Sequence, residues 1–331
     1  MLYDKKNMIR DLLDRINAKH YVNKCFRHDA RRYRAYSCPL KPGNERQLSA
    51  AVSIKCHVLE KGLSMPGMRL AFGQKNIREL VDLCLLYKNQ YGAANPRLLQ
   101  AVAAIKEYDH IHKQQNCSLE SLTTEKLEAL QASFEDVAAS EQPQTNRMDY
   151  FSHSADAFDV FSASRHSVRC FSDEPVAVDT LKEAVALAMN APSACNRQSQ
   201  QVHIVQDKKL VGRILSLQNG CRGFAERVDK LLVLTFDLSF YGDGRSRNLG
   251  YMDSGIFAMN LLYALHFHKV GACPLNWCDS PKDDKAIRKV LNLRPEETVT
   301  LIIACGHVPS ESFRRAESKR LDPACCMTIH E

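Results

Sequence analysis

Residues 164–171, with the sequence Ser-Arg-His-Ser-Val-Arg-Cys-Phe, decide how the second half of this chain is interpreted. They follow a predicted helix at 150–163 and precede another at 179–190. Arg165, Ser167 and Arg169 place three strong hydrogen-bond donors close together. Because a guanidinium can fork two phosphate oxygens and a serine hydroxyl adds a neutral donor, this segment suits an anionic ligand. By itself the pattern is also that of a solvated basic turn.

A second segment lies further along the chain. Residues 191–198 have the sequence Ala-Pro-Ser-Ala-Cys-Asn-Arg-Gln, close a helix and lead into a strand. In this order the two segments resemble the signature of the nitroreductase family of FMN enzymes, an Arg-[Arg/His]-Ser-x-[Arg/Lys]-x-Phe block followed by a Pro-Ser-x-x-Asn-x-Gln block. Residues 251–262 are similar to the family's long central helix, and residues 302–309 with 318–321 to its last core strand and basic phosphate clamp. The resemblance covers about residues 150–323 and does not extend to residues 1–140.

This resemblance implies an FMN site that a homodimer shares between its two subunits. The residues that it assigns to cofactor binding are Arg165, His166, Ser167, Arg169, Pro192, Ser193, Ala194, Asn196, Gln198, Pro274, Leu275, Asn276, Lys319 and Arg320. Arg165 and Arg320 would hold the FMN phosphate, with Lys319 nearby. Ser167 would bond the ribityl or pyrimidine side, and His166 occupies a family position that is either Arg or His.

The remaining roles come from the same resemblance. Arg169 would lie beside flavin N1 and O2, where a fixed guanidinium stabilises the negative charge that reduction places there. Residues 192–194 line the flavin of the opposite subunit, while Asn196 and Gln198 bond the flavin edge or brace that loop. Residues 274–276 fall where backbone donors face flavin N5, although a buried strand ending in a turn has the same pattern.

The activity implied by the resemblance is an oxidoreductase reaction in which hydride passes from NAD(P)H through FMN to an acceptor that the sequence does not identify. No residue is assigned as acid or base, and no metal site is predicted because His57 and Glu60, one helical turn apart, lack a third ligand. Two alternatives stay open: a flavin-dependent oxidase or dehydrogenase acting on a biosynthetic intermediate, and a flavin-binding adaptor without catalysis. Arg197 stands where the family often has a small residue, and the Gly- and Arg-rich residues 240–248 are a candidate substrate lid.

Hydrophobic spacing divides the chain near a polar stretch at residues 140–147. Residues 1–145 are predicted to be an all-helical region, with helices at 46–61, 76–90, 97–113 and 119–139. Beyond it, helix patterns alternate with short apolar runs at 201–206, 230–236, 271–277 and 298–305, which predicts an α+β or α/β domain. The resemblance favours α+β, with a central, mainly antiparallel sheet flanked by helices. The FMN-binding domain would span 150–323, followed by a tail at 324–331, and the Gly/Met/Pro-rich loop 60–73 either covers the flavin or connects two helices.

Charge and cysteine content indicate the surroundings of the protein. Twelve basic and five acidic residues lie in a basic arm at residues 1–46, which therefore carries the whole net charge of +7. This arm could contact a membrane surface or an anionic partner, but a solvated helix is the simpler interpretation, and no nucleic-acid motif accompanies it. The 13 cysteines contain no Cys-x-x-Cys pair and no secretory signal precedes them, so reduced thiols in a cytoplasmic protein are expected. No apolar run approaches the roughly 20 residues of a membrane-spanning helix.

Overall fold

The structure is a computed structural model that describes residues 2–36, 42–242, 244–277 and 280–330, with the backbone alone for residues 2–16 and 18. In chain order its helices and strands are α1 Leu2–Tyr36, α2 Glu45–Leu63, α3 Gln74–Tyr91, α4 Pro96–Gln114, α5 Ser121–Ser133, β1 Gln144–Thr145, α6 Arg147–Tyr150, α7 Phe158–Ser164, α8 Val178–Ala188, β2 Gln200–Val205, α9 Lys208–Leu217, β3 Lys230–Asp237, α10 Leu249–Phe267, β4 Gly271–Asn276, α11 Pro281–Leu291, β5 Glu297–Gly306 and β6 Phe313–Arg314. The N-terminal helices and the four predicted strands are confirmed.

The chain forms two compact units. The sheet unit contains Met1–Ser37 and Arg147–Ser310, and the helical unit contains Cys38–Asn146 and Glu311–Glu331. These units differ from the sequence-based limits 1–145 and 150–323 in two segments. Helix α1 joins the sheet unit, where Arg247 Nε and Nη2 donate to both carboxylate oxygens of Asp29 at 2.6 and 2.8 Å. Residues 311–331 join the helical unit, because β6 pairs with β1.

A four-stranded antiparallel sheet with the order β2-β3-β5-β4 forms the centre of the sheet unit. Every residue of β3, one of the two central strands, is buried, which explains why residues 231–234 form a continuous apolar run rather than an alternating pattern. Helices α8 and α10 cover this sheet with a shared apolar core. The α+β fold with an antiparallel sheet and an all-helical N-terminal region is therefore confirmed.

A carboxylate network fixes the register of three strands at one end of this sheet. The buried Glu297 accepts hydrogen bonds from Thr235 Oγ1 at 2.9 Å and Arg294 Nε at 3.0 Å, and lies 2.7 Å from His203 Nε2. Burial alone raises the pKa of Glu297, but the bonds from Arg294, His203 and Thr235 outweigh it and lower the pKa to about 2. Glu297 is thus held as a carboxylate beside the bulge between Leu234 and Thr235.

Helix α10 is apolar around its whole circumference. One side buries Phe257, Leu261 and Leu265 against the sheet, and Gly250 lets the helix approach so closely that an added Cβ would lie 2.3 Å from Phe236. The other side leaves large apolar side chains 36% to 60% exposed, namely Met252, Ile256 and Met259. A helix with apolar residues on all sides is normally buried on all sides.

The predicted helix at 150–163 is wrong as a single element, because α6 ends at Tyr150 and α7 begins at Phe158. In the gap Ser152 Oγ donates to the Asp149 carbonyl at 2.8 Å, and His153 Nδ1 lies 2.7 Å from the Asp156 carboxylate. Such local side-chain bonds compete with the helical hydrogen bonds of the backbone. The turn they form positions Tyr150 next to the segment that follows α7.

The helical unit packs α2 to α5 around an apolar core of its own. The loop between α2 and α3 is tied to this core: Tyr108 Oη donates to the Phe72 carbonyl at 2.8 Å, and the Ala71 amide donates to His112 Nε2 at 2.8 Å. Gly62 makes room for the Phe72 ring, since a Cβ there would lie 2.1 Å from it. Within the described residues, no helix is long and apolar enough to cross a membrane.

Candidate functional site

The segment after α7 runs along one edge of the sheet. The Val168 amide donates to the Ala272 carbonyl at 2.9 Å, and the Ser172 amide donates to the His307 carbonyl at 2.8 Å. Burial alternates along the segment: Val168 and Cys170 are buried, whereas Ser167 and Arg169 are half-buried. This alternation is that of an extended segment, whose successive side chains point to opposite faces. Two of the predicted donors therefore share the more accessible face.

Arg165, at the start of this segment, carries an unsatisfied cation. Its Nε and Nη1 atoms are buried and have no hydrogen-bond partner among the described residues. Removing a charged donor from water without a partner costs several kcal/mol, so such a guanidinium calls for an oxyanion. The predicted use of Arg165, the binding of a phosphate, fits this geometry.

A buried histidine outside the predicted set of site residues, His266, lies beside Arg165. His266, near the end of α10, has Nε2 2.8 Å from Ser164 Oγ, and Ser164 Oγ also donates to the Phe161 carbonyl at 2.8 Å. Burial, with the nearby Arg165 charge, lowers the pKa of His266 to about 4, so the ring is neutral near pH 7. Since the serine proton is engaged, His266 Nε2 carries the hydrogen of that contact, and its Nδ1 is an acceptor without a partner among the described side chains.

His166 is fixed through its backbone. Tyr150 Oη donates to the His166 carbonyl at 2.6 Å and lies 3.2 Å from the His166 amide. The Tyr150 ring meets the His266 ring edge-on, with centroids 5.3 Å apart. Tyr150 therefore links the position of residues 165–169, which we call the basic segment, to the end of α10.

The second predicted segment is a loop in an unusual conformation. Cys195, Asn196 and Gln198 have φ angles of 53°, 53° and 47°, in the left-handed region that costs a non-glycine residue about 1 to 2 kcal/mol. Inside the loop the Gln198 amide donates to Ser193 Oγ at 3.0 Å, and Gln198 Nε2 donates to Asn196 Oδ1 at 2.9 Å. Pro192 is exposed and Ser193 is half-buried. Something outside the loop must hold this conformation.

The Asp253 side chain on α10 holds the loop in this conformation, and we call it the latch. The buried Asp253 accepts the Ala194 amide through Oδ1 at 3.1 Å and the Tyr241 hydroxyl through Oδ2 at 3.1 Å. Tyr241 Oη also lies 2.7 Å from Ser199 Oγ, and the Arg197 guanidinium lies over the Tyr241 ring, 5.4 Å from its centroid. Burial raises the pKa of Tyr241, which keeps its hydroxyl protonated as a donor. Asp253 is not among the predicted site residues, and Tyr241 belongs to the candidate lid at 240–248 but not to the predicted cofactor-binding set.

Residues 274–276 form the end of β4. Leu275 is buried and pairs with Ile302, while Pro274 pairs with Ile303. Asn276 is exposed, and Gln218 Nε2 donates to its carbonyl at 3.1 Å and lies 3.3 Å from its Oδ1. Because β4 also binds the Val168 amide, these residues lie on the same edge of the sheet as the basic segment.

The two predicted segments attach to opposite ends of α10. The loop at 192–198 is held by Asp253 near the start of the helix, and the basic segment approaches His266 near its end. Thirteen residues of α-helix span about 20 Å, at 1.5 Å per residue. Within one chain, the two segments are therefore held at well-separated places.

Lys319 and Arg320 belong to the helical unit. Arg320 Nη1 donates to the Ser318 carbonyl at 2.7 Å, and Lys319 lies 3.6 Å from the Glu317 carboxylate. Both side chains are exposed. Their predicted contact with a phosphate stays a prediction.

The helical unit also holds an open cavity of about 430 Å³, lined by Glu45, Arg46, Ser49, Tyr87, Asn95 and Arg97. Tyr87 Oη donates to Glu45 Oε1 at 2.6 Å and accepts from Asn95 Nδ2 at 2.7 Å. Through these two hydrogen bonds, the Tyr87 hydroxyl connects the starts of α2 and α4 to the end of α3.

Comparison with known protein families shows which family the sheet unit resembles. Residues 163–220 and 215–307 match the model of the nitroreductase family. This part of the chain is nitroreductase-like. The resemblance predicted from the two segments is thereby confirmed for the C-terminal half, within residues 163–307.

Solved structures that resemble the nitroreductase-like region include a nitroreductase family protein from Streptococcus pneumoniae, with 19% identity, covering 50% of this chain and 96% of that one at a TM-score of 0.44. An FMN-dependent nitroreductase from Clostridium difficile has 21% identity, and the match covers 46% of this chain and 89% of that one at a TM-score of 0.40. A nitroreductase family protein from Clostridium novyi has 18% identity, and the match covers 46% of this chain and 85% of that one at a TM-score of 0.41. A search of the curated proteins found no match.

Proposed function

We propose that the nitroreductase-like region binds FMN and passes electrons from NAD(P)H to a small-molecule acceptor. The family match over residues 163–307 supports the class of reaction. The observation that carries the proposal is the pair of buried, unpaired guanidinium nitrogens of Arg165, Nε and Nη1, at the start of a segment with two further donors, Ser167 and Arg169.

The residues present fit the phosphate and the ring of FMN. Two buried N–H groups of Arg165 gain partners if they bind a phosphate, which removes the cost of leaving them unpaired. Arg169 has no ion pair in the described part of the chain, so its charge is available for the flavin N1 and O2 region. When bound, FMN supplies the two-electron redox chemistry, and the chain supplies binding, orientation and electrostatics. No side chain is assigned as a general acid or base.

The proposal includes a homodimer in which each site uses two chains. The basic segment and the loop at 192–198 attach to opposite ends of α10, about 20 Å apart by helical rise. A second copy packed antiparallel on the exposed apolar side of α10 brings the loop of one protomer to the basic segment of its partner. Contact with a second copy also buries Met252 and Ile256, which a monomer leaves in water.

The remaining predicted contacts follow this arrangement. Residues 192–194 with Asn196 and Gln198 line the flavin of the partner, while His166 and residues 274–276 lie on the same sheet edge as the basic segment. Lys319 and Arg320 stay candidates for the phosphate.

The visible spectrum of the purified protein tests the cofactor. We expect absorbance typical of oxidised flavin, FMN as the released chromophore in mass spectrometry, and bleaching by NADH or NADPH without oxygen. Arg169→Ala should weaken FMN retention or slow its reduction by tenfold or more, because a charge-assisted bond contributes about 1.5 to 3 kcal/mol. Arg213→Ala, on the exposed face of α9, is the matched control.

Two results contradict parts of this proposal. A colourless protein that takes up no added FMN excludes the flavin function. Bound FMN that neither nicotinamide reduces, but that a metabolite does, excludes the NAD(P)H donor and favours the oxidase or dehydrogenase alternative.

Oligomeric state tests the shared site. We expect a dimer in sedimentation analysis, and Ile256→Glu should give a monomer that loses FMN although its fold persists. A monomeric wild-type protein that retains FMN excludes the two-chain site.

A further inference from the structure

We propose that Arg197 makes the site select electron donors or acceptors that carry an oxyanion, either a carboxylate or a phosphate. This inference rests on the proposed flavin function and adds a class of substrate to it. It starts from the loop at 192–198, where Arg197 replaces the small residue that the sequence resemblance leads one to expect.

Arg197 is a fixed cation. Its guanidinium carbon lies 5.4 Å from the centroid of the Tyr241 ring, and Nη1 is 3.4 Å from the Ala194 carbonyl oxygen. A cation held over an aromatic face keeps its direction without losing its charge. The side chain is half-buried, so its position is restricted.

The ring beneath Arg197 is itself held in place. Tyr241 Oη bonds to both Ser199 Oγ and Asp253 Oδ2, and its ring meets the Phe236 ring edge-on with centroids 5.6 Å apart. Asp253 also holds the Ala194 amide. The loop and the ring are therefore fixed by the same carboxylate, and Arg197 is ordered before any ligand arrives.

The charge of Arg197 is not neutralised. In the described part of the chain no carboxylate forms an ion pair with it, and the nearby Asp253 is buried and already accepts two hydrogen bonds. Of the five N–H donors of a guanidinium, the described residues use one. The neighbouring Cys195, Asn196 and Gln198 are exposed, so molecules in solution reach the loop.

An ordered guanidinium with free donors binds carboxylate and phosphate groups through paired hydrogen bonds. A neutral molecule gains nothing from it. A substrate with an oxyanion therefore gains about tenfold in kcat/KM over its neutral analogue, near the lower end for a charge-assisted bond because the site is partly exposed.

Steady-state and single-turnover kinetics of the FMN-loaded protein test the inference in two arms. The acceptor arm compares 4-nitrobenzoate with nitrobenzene. The donor arm compares NADPH and NADH with 1-benzyl-1,4-dihydronicotinamide, which has no phosphate. Each arm is measured for the wild type, Arg197→Ala, Arg197→Lys and the control Arg213→Ala.

We expect Arg197→Ala to lower kcat/KM about tenfold for the anionic member of at least one pair, mainly through KM, and to leave the neutral member unchanged. Arg197→Lys should retain part of the preference, added salt should reduce it in the wild type, and Arg213→Ala should alter neither ratio. The arm that responds identifies the source of the oxyanion: the acceptor arm indicates a carboxylated acceptor, and the donor arm indicates the phosphates of the nicotinamide nucleotide.

Bound FMN that turns over with ratios unaffected by Arg197→Ala, or a variant that slows both members of each pair equally, overturns the inference and leaves the flavin function standing. A protein that takes up no FMN overturns both.

Discussion

Replacing Asp253 by alanine should release the loop at 192–198. Asp253 accepts two hydrogen bonds at 3.1 Å, from the Ala194 amide and the Tyr241 hydroxyl, and it is buried. Bonds to a charged acceptor contribute about 1.5 to 3 kcal/mol each. Against them stand Cys195 and Gln198, whose φ angles near +50° cost about 1 to 2 kcal/mol each, and Asn196, for which this conformation costs less. The two sums are of similar size, so the loop conformation depends on the latch.

Only the bond from the Ala194 amide joins the loop itself to Asp253. We therefore expect Asp253→Ala to shift the equilibrium of the loop by the contribution of that one bond, about 2 kcal/mol, a factor of about 30. Asp253→Asn should have a much smaller effect, about threefold, because an amide oxygen can still accept from Ala194 and the amide nitrogen can donate to Tyr241 Oη. The amide variant is therefore the matched control.

Two assays report the same equilibrium. Tryptic cleavage after Arg197 should become about 30-fold faster in Asp253→Ala, since proteolysis of a folded protein follows the population of its opened state. FMN affinity, measured by flavin fluorescence, should fall by a similar factor if the loop contributes to the site. A folded Asp253→Ala protein that trypsin cleaves at the wild-type rate refutes the latch, whatever its FMN content. Faster cleavage with unchanged FMN affinity refutes only the role of the loop in binding.

Two further substitutions should change the stability of the fold. Because the pKa of Glu297 is about 2 in the fold and 4.5 unperturbed, its carboxylate stabilises the protein above pH 4.5 by up to about 3 kcal/mol, and this contribution is lost as the pH falls towards 2. Urea unfolding should show Glu297→Gln less stable than wild type at pH 7 by about 2 to 3 kcal/mol, with a smaller gap at pH 3; an equal gap at both pH values contradicts the argument. Gly250→Ala should lower the melting temperature, because the new methyl would lie 2.3 Å from Phe236 and such overpacking costs about 1 to 3 kcal/mol. Gly212→Ala, in α9 with nothing within 4 Å, should instead be neutral or stabilising, and a similar loss in both variants would show that packing is not the cause.

Most elements of the fold were predictable because their signals are local. The apolar run at 230–236 became the fully buried β3, and the patterns at 201–206, 271–277 and 298–305 became its neighbours in the sheet. The helix predicted at 150–163 failed because side-chain bonds in its middle compete with helical ones. Helix α1 could not be assigned from its own pattern, since its place in the sheet unit depends on the distant partner Arg247.

The residues of the candidate site also fall into a group that local sequence predicts and a group that depends on long-range contacts. Arg165, Ser167 and Arg169 were predicted from their spacing, and the structure holds them in one extended segment along the sheet edge. Their contact with a cofactor stays a prediction. Asp253 and His266 were not among the predicted site residues, and Tyr241 was predicted only as part of the candidate lid at 240–248, because each acts on a residue far away in sequence. Nothing in a helix pattern distinguishes an aspartate that holds a loop from one that faces solvent.

The sequence by itself determined the family-like segments, the strands and helices, and the basic character of the segment at 165–169, because these depend on residues that are neighbours along the chain. Only the tertiary structure decided that Arg165 is left with buried, unpaired donors, that Asp253 holds a strained loop, and that the two segments attach to opposite ends of α10. The physical reason is that burial and hydrogen-bond partnership arise when distant parts of the chain pack together. That packing determines which charges are paired and which are free to bind a ligand.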